Sequence, residues 1–451
     1  MLRYNQGKQT AYEFVSIEDL VPQDHMLRKV DKYISFDFIR EKVTPLYCED
    51  NGRPAIDPVV LFKMIFLGYF YGIRSERRLE QEIQTNLAYR WFLGLALTDR
   101  VPDHTTISWN RRKRFVNTTI FQDVFDEIVL QAIQHRMVGG RVLVSDSTHI
   151  KANANKNKFT KQQVLQNTKD YLKELDAAVD SDRKSHGKKP LKARKEVVEY
   201  KEIKVSQADP DSGYMVREGK PEGFYYLDHR TVDMKYNIIT DVHVTPGNVH
   251  DSLPYVERLD RQVNRFGFQV EAVALDSGYL TNPICKSLHD RKIFAVIAHR
   301  RFHPTQGLFP KWKFHYNTET NSYTCPNGQQ LTYKTTNREG YRHYASNPEV
   351  CKNCPFLSQC TRSRNHKKII TRHVWEASKE WVRENHLSKS GKYLYKKRKE
   401  TIERSFADAK QLHGFRYCRL RGLQNVTEQA LMTAAVQNMK KIALHLDRQV
   451  K

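Results

Sequence analysis

The chain has 451 residues, enough for two to four domains and a sizeable core. Its 75 Lys and Arg against 51 Asp and Glu leave a formal charge of +24, which points to a polyanionic partner, nucleic acid foremost. With 39% hydrophobic and 11% aromatic residues it is a folded protein, which excludes a basic disordered tail.

No membrane association is expected. The opening MLRYNQGKQT is polar, and the most apolar run, Val59 to Ile73, is interrupted by Lys63 and Gly68. Seven Cys, four of them between 325 and 360, suggest a reduced cytoplasmic protein with one metal site and no disulfide framework.

Residues 1–138 read as an all-helical domain. Two short helices are expected around Pro22. Asp57-Pro58 is an N-cap followed by Pro at the first helical position, and Gly72 closes that helix. A second helix starts at Ser75, a third carries LAYRWFLG, and Asp103 caps a fourth with His104 in its first turn. Short basic helices with tight turns suggest a compact DNA-binding module, with Arg111 and Arg112 among its candidate contacts. The alternative is a packing domain with a solvated basic face.

A helix through NTTIFQDVFDEIVLQAIQH leads into RVLVSDSTHI, residues 141–150. The apolar run Val142, Leu143, Val144 gives way to polar residues at Asp146, the pattern of a buried strand presenting a carboxylate at its tip. Residues 151–210 are polar and read as a helical surface excursion or a charged loop. Two alternating segments, 224–233 and 236–245, form a hairpin turning at Met234-Lys235, with His250-Asp251 in the loop beyond. An amphipathic helix closed by Gly267 follows. The next buried run, Val273 to Leu275, ends at Asp276; a helix from Asn282 and a strand over 292–298 complete a βαβ pattern. The order predicts a mixed sheet over 139–298, an antiparallel set joined to parallel strands, with the Asp146 and Asp276 strands side by side.

Residues 299–375 form a β-rich insertion. Its Cys351-x-x-Cys354 pair, completed by Cys325 and Cys360, is a candidate structural zinc site, with His343 or His366 as possible replacements for one thiolate. Residues 376–451 return to helix and complete the second domain. Between 389 and 421 stand eleven Lys or Arg against three acids, so this segment is a candidate DNA contact. On one continuous helix Ile402, Phe406 and Ala409 make the buried stripe, and Lys399, Glu403 and Lys410 share the neighbouring face. Asp146, Asp276 and Glu403, spaced by roughly 130 residues, can converge on two Mg²⁺ or Mn²⁺ ions, which would neutralise them and serve an in-line phosphoryl displacement. An exposed helix with ordinary Glu–Lys pairs is the plainer reading of Glu403.

These motifs, RPAIDPVVLFKMIFLGYFYGIRSERRL, VPDHTTISWNRRKRF, SDSTHIKANANK, GFYYLDHRTVD, VTPGNVHDS, ALDSGYLTN and ERSFADAK, cover nearly the whole chain. The sequence resembles the DDE transposases of bacterial insertion sequences, in the 1182 group related to the insertion-sequence 4 type. The resemblance implies an α/β, ribonuclease-H-like sheet with flanking helices and a metal-binding triad of Asp146, Asp276 and Glu403. It also implies DNA partners, both element ends and target, and a dimer or larger assembly in the cytoplasm near the nucleoid. Glu403 to Lys410 keeps the family's six intervening residues. Tyr395 and Arg398 keep two, but four residues rather than three separate Arg398 from Glu403, so Lys399 stands at the usual distance. Arg398, Lys399, Arg404 and Lys410 are the phosphate-binding candidates. The alternatives are a metal-dependent nuclease without strand transfer and a non-catalytic DNA-binding regulator.

Overall fold

The computed structural model describes residues 13–48, 55–165, 171–192, 200–217, 219, 221–299 and 305–450. The first ten residues, and 193–195 of the charged run in the excursion, lie outside them.

The first helices begin where their caps place them. The Asp57 side chain accepts from Val59 N at the head of helix Pro58–Phe70, Ser75 from Arg78 N before Glu76–Thr85, Asn86 from Tyr89 N before Leu87–Leu93, and Asp103 from Thr105 N before His104–Trp109. Helix Pro58–Phe70 is buried on almost every side, and Ile120–Gln134 lies in the same core.

A six-stranded sheet follows. Strand β1 is Val142–Lys151; β2 (Phe159–Leu165) and β3 (Tyr200–Ser206) pair only with each other; β4 is Gly213–Met215, β5 Gly223–Asp233, β6 Ile239–Pro246, β7 Ala272–Leu275 and β8 Phe294–Ile297. β5 lies antiparallel between β1 on one side and β4 and β6 on the other, while β7 and β8 run parallel beyond β1. Alternation sorts the side chains onto two faces. Val144, Ile150, Tyr226, Val232, Val242, Val244, Ala274 and Val296 join the core of the N-terminal helices. Leu143, Val273, Leu275, Ala295 and Ile297 pack with Tyr255 and Leu259 of helix Tyr255–Phe266 and with Ile284 and Leu288 of helix Asn282–Asp290.

The C-terminal helix, Leu423–Val450, ties these parts together. Its buried polar residues are each anchored: Glu428 to Arg111, Gln437 to Arg230 and to Ser405 O, and Asn438 to both the amide and the carbonyl of Ile239. The N-terminal helices therefore share one core with this helix and the sheet.

One expectation for the middle of the chain is corrected. The 151–210 excursion is not simply helical: β2 and β3 flank helix Tyr171–Ser185. That helix docks on the β-rich insertion, where Asp182 accepts from Thr336 Oγ1 at 2.6 Å and Arg342 Nε at 2.8 Å. The insertion itself is an antiparallel meander of five strands: β9 (His315–Asn317), β10 (Ser322–Thr324), β11 (Gln330–Thr336), β12 (Tyr341–Ala345) and β13 (Ile369–His373). Among the described residues no helix is long and apolar enough to cross a membrane.

Candidate active site

Asp146 sits in the middle of β1, not at its tip. The strand continues because β5 pairs with it through Lys151. What ends near Asp146 is the pairing with β7, which covers only Val142 to Val144. Past that point the two strands separate, and Asp276, the residue after β7, lies beside the opening. Both aspartates have the parity of the face that carries Val144 and Ala274, so they point to the same side.

Between them stands Arg398. Its Nη2 donates to Asp146 Oδ2 at 2.6 Å, its Nη1 lies 3.8 Å from Asp276 Oδ1, and Nη1 also donates to Tyr395 Oη at 3.2 Å. The guanidinium is buried, and its Nε has no hydrogen-bond partner. Burial pushes the Asp146 carboxyl up to about 6; Arg398 opposes this, while Asp276 and Asp251 add to it. Asp251 therefore belongs to the same acidic neighbourhood. Its sequence signal was only its place in the loop after the hairpin, beside His250.

Glu403 is placed differently. The segment is not one helix: Lys389–Lys397 and Ile402–Gln411 are separated by the 3₁₀ turn Arg398–Glu400 and by Thr401, whose φ of −107° and ψ of −88° are not helical. Lys399 and Glu403 consequently do not share a continuous helical face, although Ile402, Phe406 and Ala409 are buried as the periodicity demands. Glu403 is exposed in the first turn of its helix. At the other end of that helix Lys410 Nζ donates to Thr148 Oγ1 at 2.5 Å, which ties the helix to β1 two residues past Asp146.

Beneath the pair, Arg230 is cross-strand from Asp146 and Asp228 from Thr148. Arg230 Nε donates to Asp228 Oδ2 at 2.8 Å and its Nη1 to Gln437 Oε1 at 2.7 Å. Both residues are fully buried, and Arg230 Nη1 also donates to Ser405 Oγ at 3.3 Å, which fastens the Glu403 helix to β5.

The remaining basic candidates separate by exposure. Lys399 and Arg404 face solvent, as does Arg112, whose Nε donates to Ser108 O at 3.2 Å. Arg111 is corrected: it is buried, contacts Glu76, and donates to Glu428 at 2.7 Å. Its charge is met internally by these two carboxylates. His250 bonds to Ser252 within its own loop, and His104 to Glu80 at 2.7 Å. Glu80, Asp103 and His104 are the one group of three or more metal-type ligands gathered within 4.8 Å among the described residues. Neither Asp146 with its acidic neighbours nor the set of four cysteines forms such a group of three among the described residues.

In the β-rich insertion Cys325, Cys351, Cys354 and Cys360 line one cavity, none of them in a disulfide. Burial raises the Cys360 thiol, and the three other sulfurs raise it further. Asn327 Nδ2 donates to Cys354 Sγ at 3.6 Å.

Known proteins resemble the chain in two separate parts. Residues 15–113 match the family described as "Transposase domain (DUF772)", and residues 324–443 match "Transposase DDE domain". No curated protein matches the chain. Among solved structures, a cryo-EM structure of a piggyBac transposase synaptic complex with hairpin DNA aligns over 95% of this chain and 74% of that one, at 9% identity and a TM-score of 0.35. Two stretches of this chain are thus similar to transposase domains, and the second contains the cysteine cavity, Arg398 and Glu403.

Proposed function

We propose that this protein is the transposase of an insertion sequence of the 1182 type. It binds the element's terminal inverted repeats, hydrolyses the phosphodiester at each end, and joins the freed 3′ ends to target DNA, at least two chains acting together. We read the main sheet as ribonuclease-H-like, with four antiparallel strands extended by two parallel ones. The observation that carries the proposal is the meeting of Asp146 and Asp276, from adjacent parallel strands, at one buried guanidinium.

The donor set fits a hard divalent cation. Two carboxylates face one point with a third acid, Asp251, close enough to perturb Asp146, and such crowding calls for a positive charge. Asp146 and Asp276 would hold Mg²⁺ or Mn²⁺, with Glu403 as the third ligand of a two-ion site. Bound there, the cation would neutralise the acids and activate the attacking oxygen. The chain's own residues do the rest. Arg398 keeps the two carboxylates apart and aligned. Lys410, held at Thr148, fixes the helix that carries Glu403, and Lys399 and Arg404 offer their charges to the phosphate backbone.

We also read the four cysteines as ligands of one structural zinc. Their convergence on a single cavity and the amide donor at Cys354 support this. Metal analysis of protein purified without chelator should find about one zinc per chain, lost in Cys351→Ser and Cys354→Ser variants. Zinc-free wild-type protein would contradict it.

The main reading is tested by incubating a labelled duplex bearing the element's ends with wild type, Asp146→Asn, Asp276→Asn and Glu403→Gln in Mg²⁺, Mn²⁺ or EDTA. The expected result is metal-dependent cleavage and strand transfer by wild type, and retained binding without cleavage in the variants. Cleavage without joining would identify a nuclease. Binding without cleavage in every metal would identify a regulator.

A further inference from the structure

Past Asp146, β1 leads into a cavity of about 590 Å³, within the range of about 300–1,000 Å³ usual for small-molecule sites. Its chemistry is uniform. Lys151, Lys158 and Arg421 supply three cations, Asn153 and Asn155 two amides, and Tyr417 an aromatic ring; no carboxylate lines it. These residues come from two distant parts of the chain that are fastened together. Cys418 N donates to Lys151 O at 2.8 Å, Asn153 Nδ2 to Arg419 O at 3.2 Å, and Arg421 Nε to Asn153 O at 3.0 Å. The backbone around Tyr417 thus runs as a short parallel extension beside the end of β1.

Tyr417 is 44% exposed, a large aromatic left open on a basic surface. The Arg74 and Lys151 cations lie 5.6 and 5.9 Å from its ring centre, near the outer limit of about 6 Å for such contacts. At that range they hold the ring only loosely. The cavity also lies in line with the candidate site: from Asp146 to Lys151 the strand rises about 16 Å.

We propose that this cavity binds unpaired nucleotides of a DNA strand that leaves the Asp146–Asp276 centre. A base stacks on Tyr417, the phosphates rest on Lys151, Lys158 and Arg421, and the Asn153 and Asn155 amides bond the base edge. Stacking on an aromatic ring within a basic groove is how single strands are held with little dependence on sequence. The inference rests on the transposase reading, because it supplies the strand, but it is tested by binding alone.

The experiment uses the full chain, without divalent metal, and compares a short blunt duplex with the same duplex carrying about five unpaired nucleotides at one end. Fluorescence anisotropy gives the affinities. A fluorescent adenine analogue, placed in the overhang, reports stacking by loss of emission. Wild type should prefer the overhang duplex and quench the analogue. Tyr417→Ala should weaken the overhang duplex by roughly 10-fold, leave the blunt duplex unchanged, and abolish quenching. Tyr417→Phe should behave as wild type. Arg421→Gln should lower the salt dependence for the overhang duplex by about 0.7 in log–log slope. Equal affinity for the two duplexes, or quenching that survives Tyr417→Ala, would overturn the proposal. So would competition by polyglutamate as strong as by a single strand of equal charge, which would assign the cavity to an acidic peptide. Should any of these occur while cleavage still depends on Asp146 and Asp276, the groove is wrong and the transposase reading stands.

Discussion

Two buried arginines in this protein each face two carboxylates, and they differ in how completely they are enclosed. Arg111 joins Glu76 to Glu428, whose side chain is 3% exposed, and so pins the N-terminal helices to the C-terminal helix. Arg398 joins Asp146 to Asp276, but Asp276 is 47% exposed and 3.8 Å away, and the Arg398 Nε has no partner. The first cluster is closed and satisfied. The second is open on one side and only partly satisfied. A closed cluster fixes a fold, whereas an open one leaves room for another cation to compete.

That contrast can be broken or sharpened experimentally. The largest effect is expected at the open cluster: Asp146→Asn or Asp276→Asn should lower the rate of metal-dependent cleavage by about 10³-fold or more, roughly 4 kcal/mol. Undiminished cleavage would show that the open cluster is merely structural. At the closed cluster, Arg111→Ala should cost about 3–5 kcal/mol in unfolding free energy, because Glu428 would be left buried and unpaired. Denaturant titration reads this directly, and no divalent metal should restore it.

Arg398→Gln should cost less, about 1–2 kcal/mol, and Mn²⁺ should recover most of it. The difference between the two arginine variants in response to Mn²⁺ is the sharpest form of the comparison.

A pH effect follows from Asp146. Its folded carboxyl is pushed up to about 6, above the ordinary value of 3.8. Below both values the group is protonated in either state and contributes nothing; between them the unfolded chain releases the proton more readily, so stability falls as pH rises from about 4 to about 6. Relative to Asp146→Asn, metal-free wild type should lose up to about 3 kcal/mol across that window. Mn²⁺ should abolish the loss. Least affected should be Arg404→Gln. Its side chain is 75% exposed and lies 3.9 Å from Asp408, so its unfolding free energy should change by less than about 0.5 kcal/mol. Its DNA binding should lose about 0.9 in salt slope.

Much of this architecture was legible because its signals are local. Asp57, Ser75 and Asp103 announce their helices within three residues, and the alternation over 224–233 and 236–245 corresponds to the β5–β6 hairpin. Asp276 stands just after its strand, as the apolar run before it implies. The readings that changed depend on contacts no local pattern encodes. Arg111 meets Glu428 from 317 residues away, and Arg398 meets Asp146 from 252. The continuous face of Lys399, Glu403 and Lys410 assumed an unbroken helix, and the backbone at Thr401 breaks it. Residues 151–210 read as a surface excursion because the partner of their helix, the sheet around Thr336 and Arg342, lies more than a hundred residues further on.

The central claim is that Asp146 and Asp276 form a divalent-cation seat closed by Arg398. Its most direct test is Mn²⁺ binding, measured by electron paramagnetic resonance, on wild type, Asp146→Asn, Asp276→Asn and Arg398→Gln. The account predicts saturable binding to wild type, its loss in both aspartate variants, and binding about 10-fold tighter in Arg398→Gln, where the competing charge is gone. Unchanged binding in the aspartate variants, or weaker binding in Arg398→Gln, would contradict it.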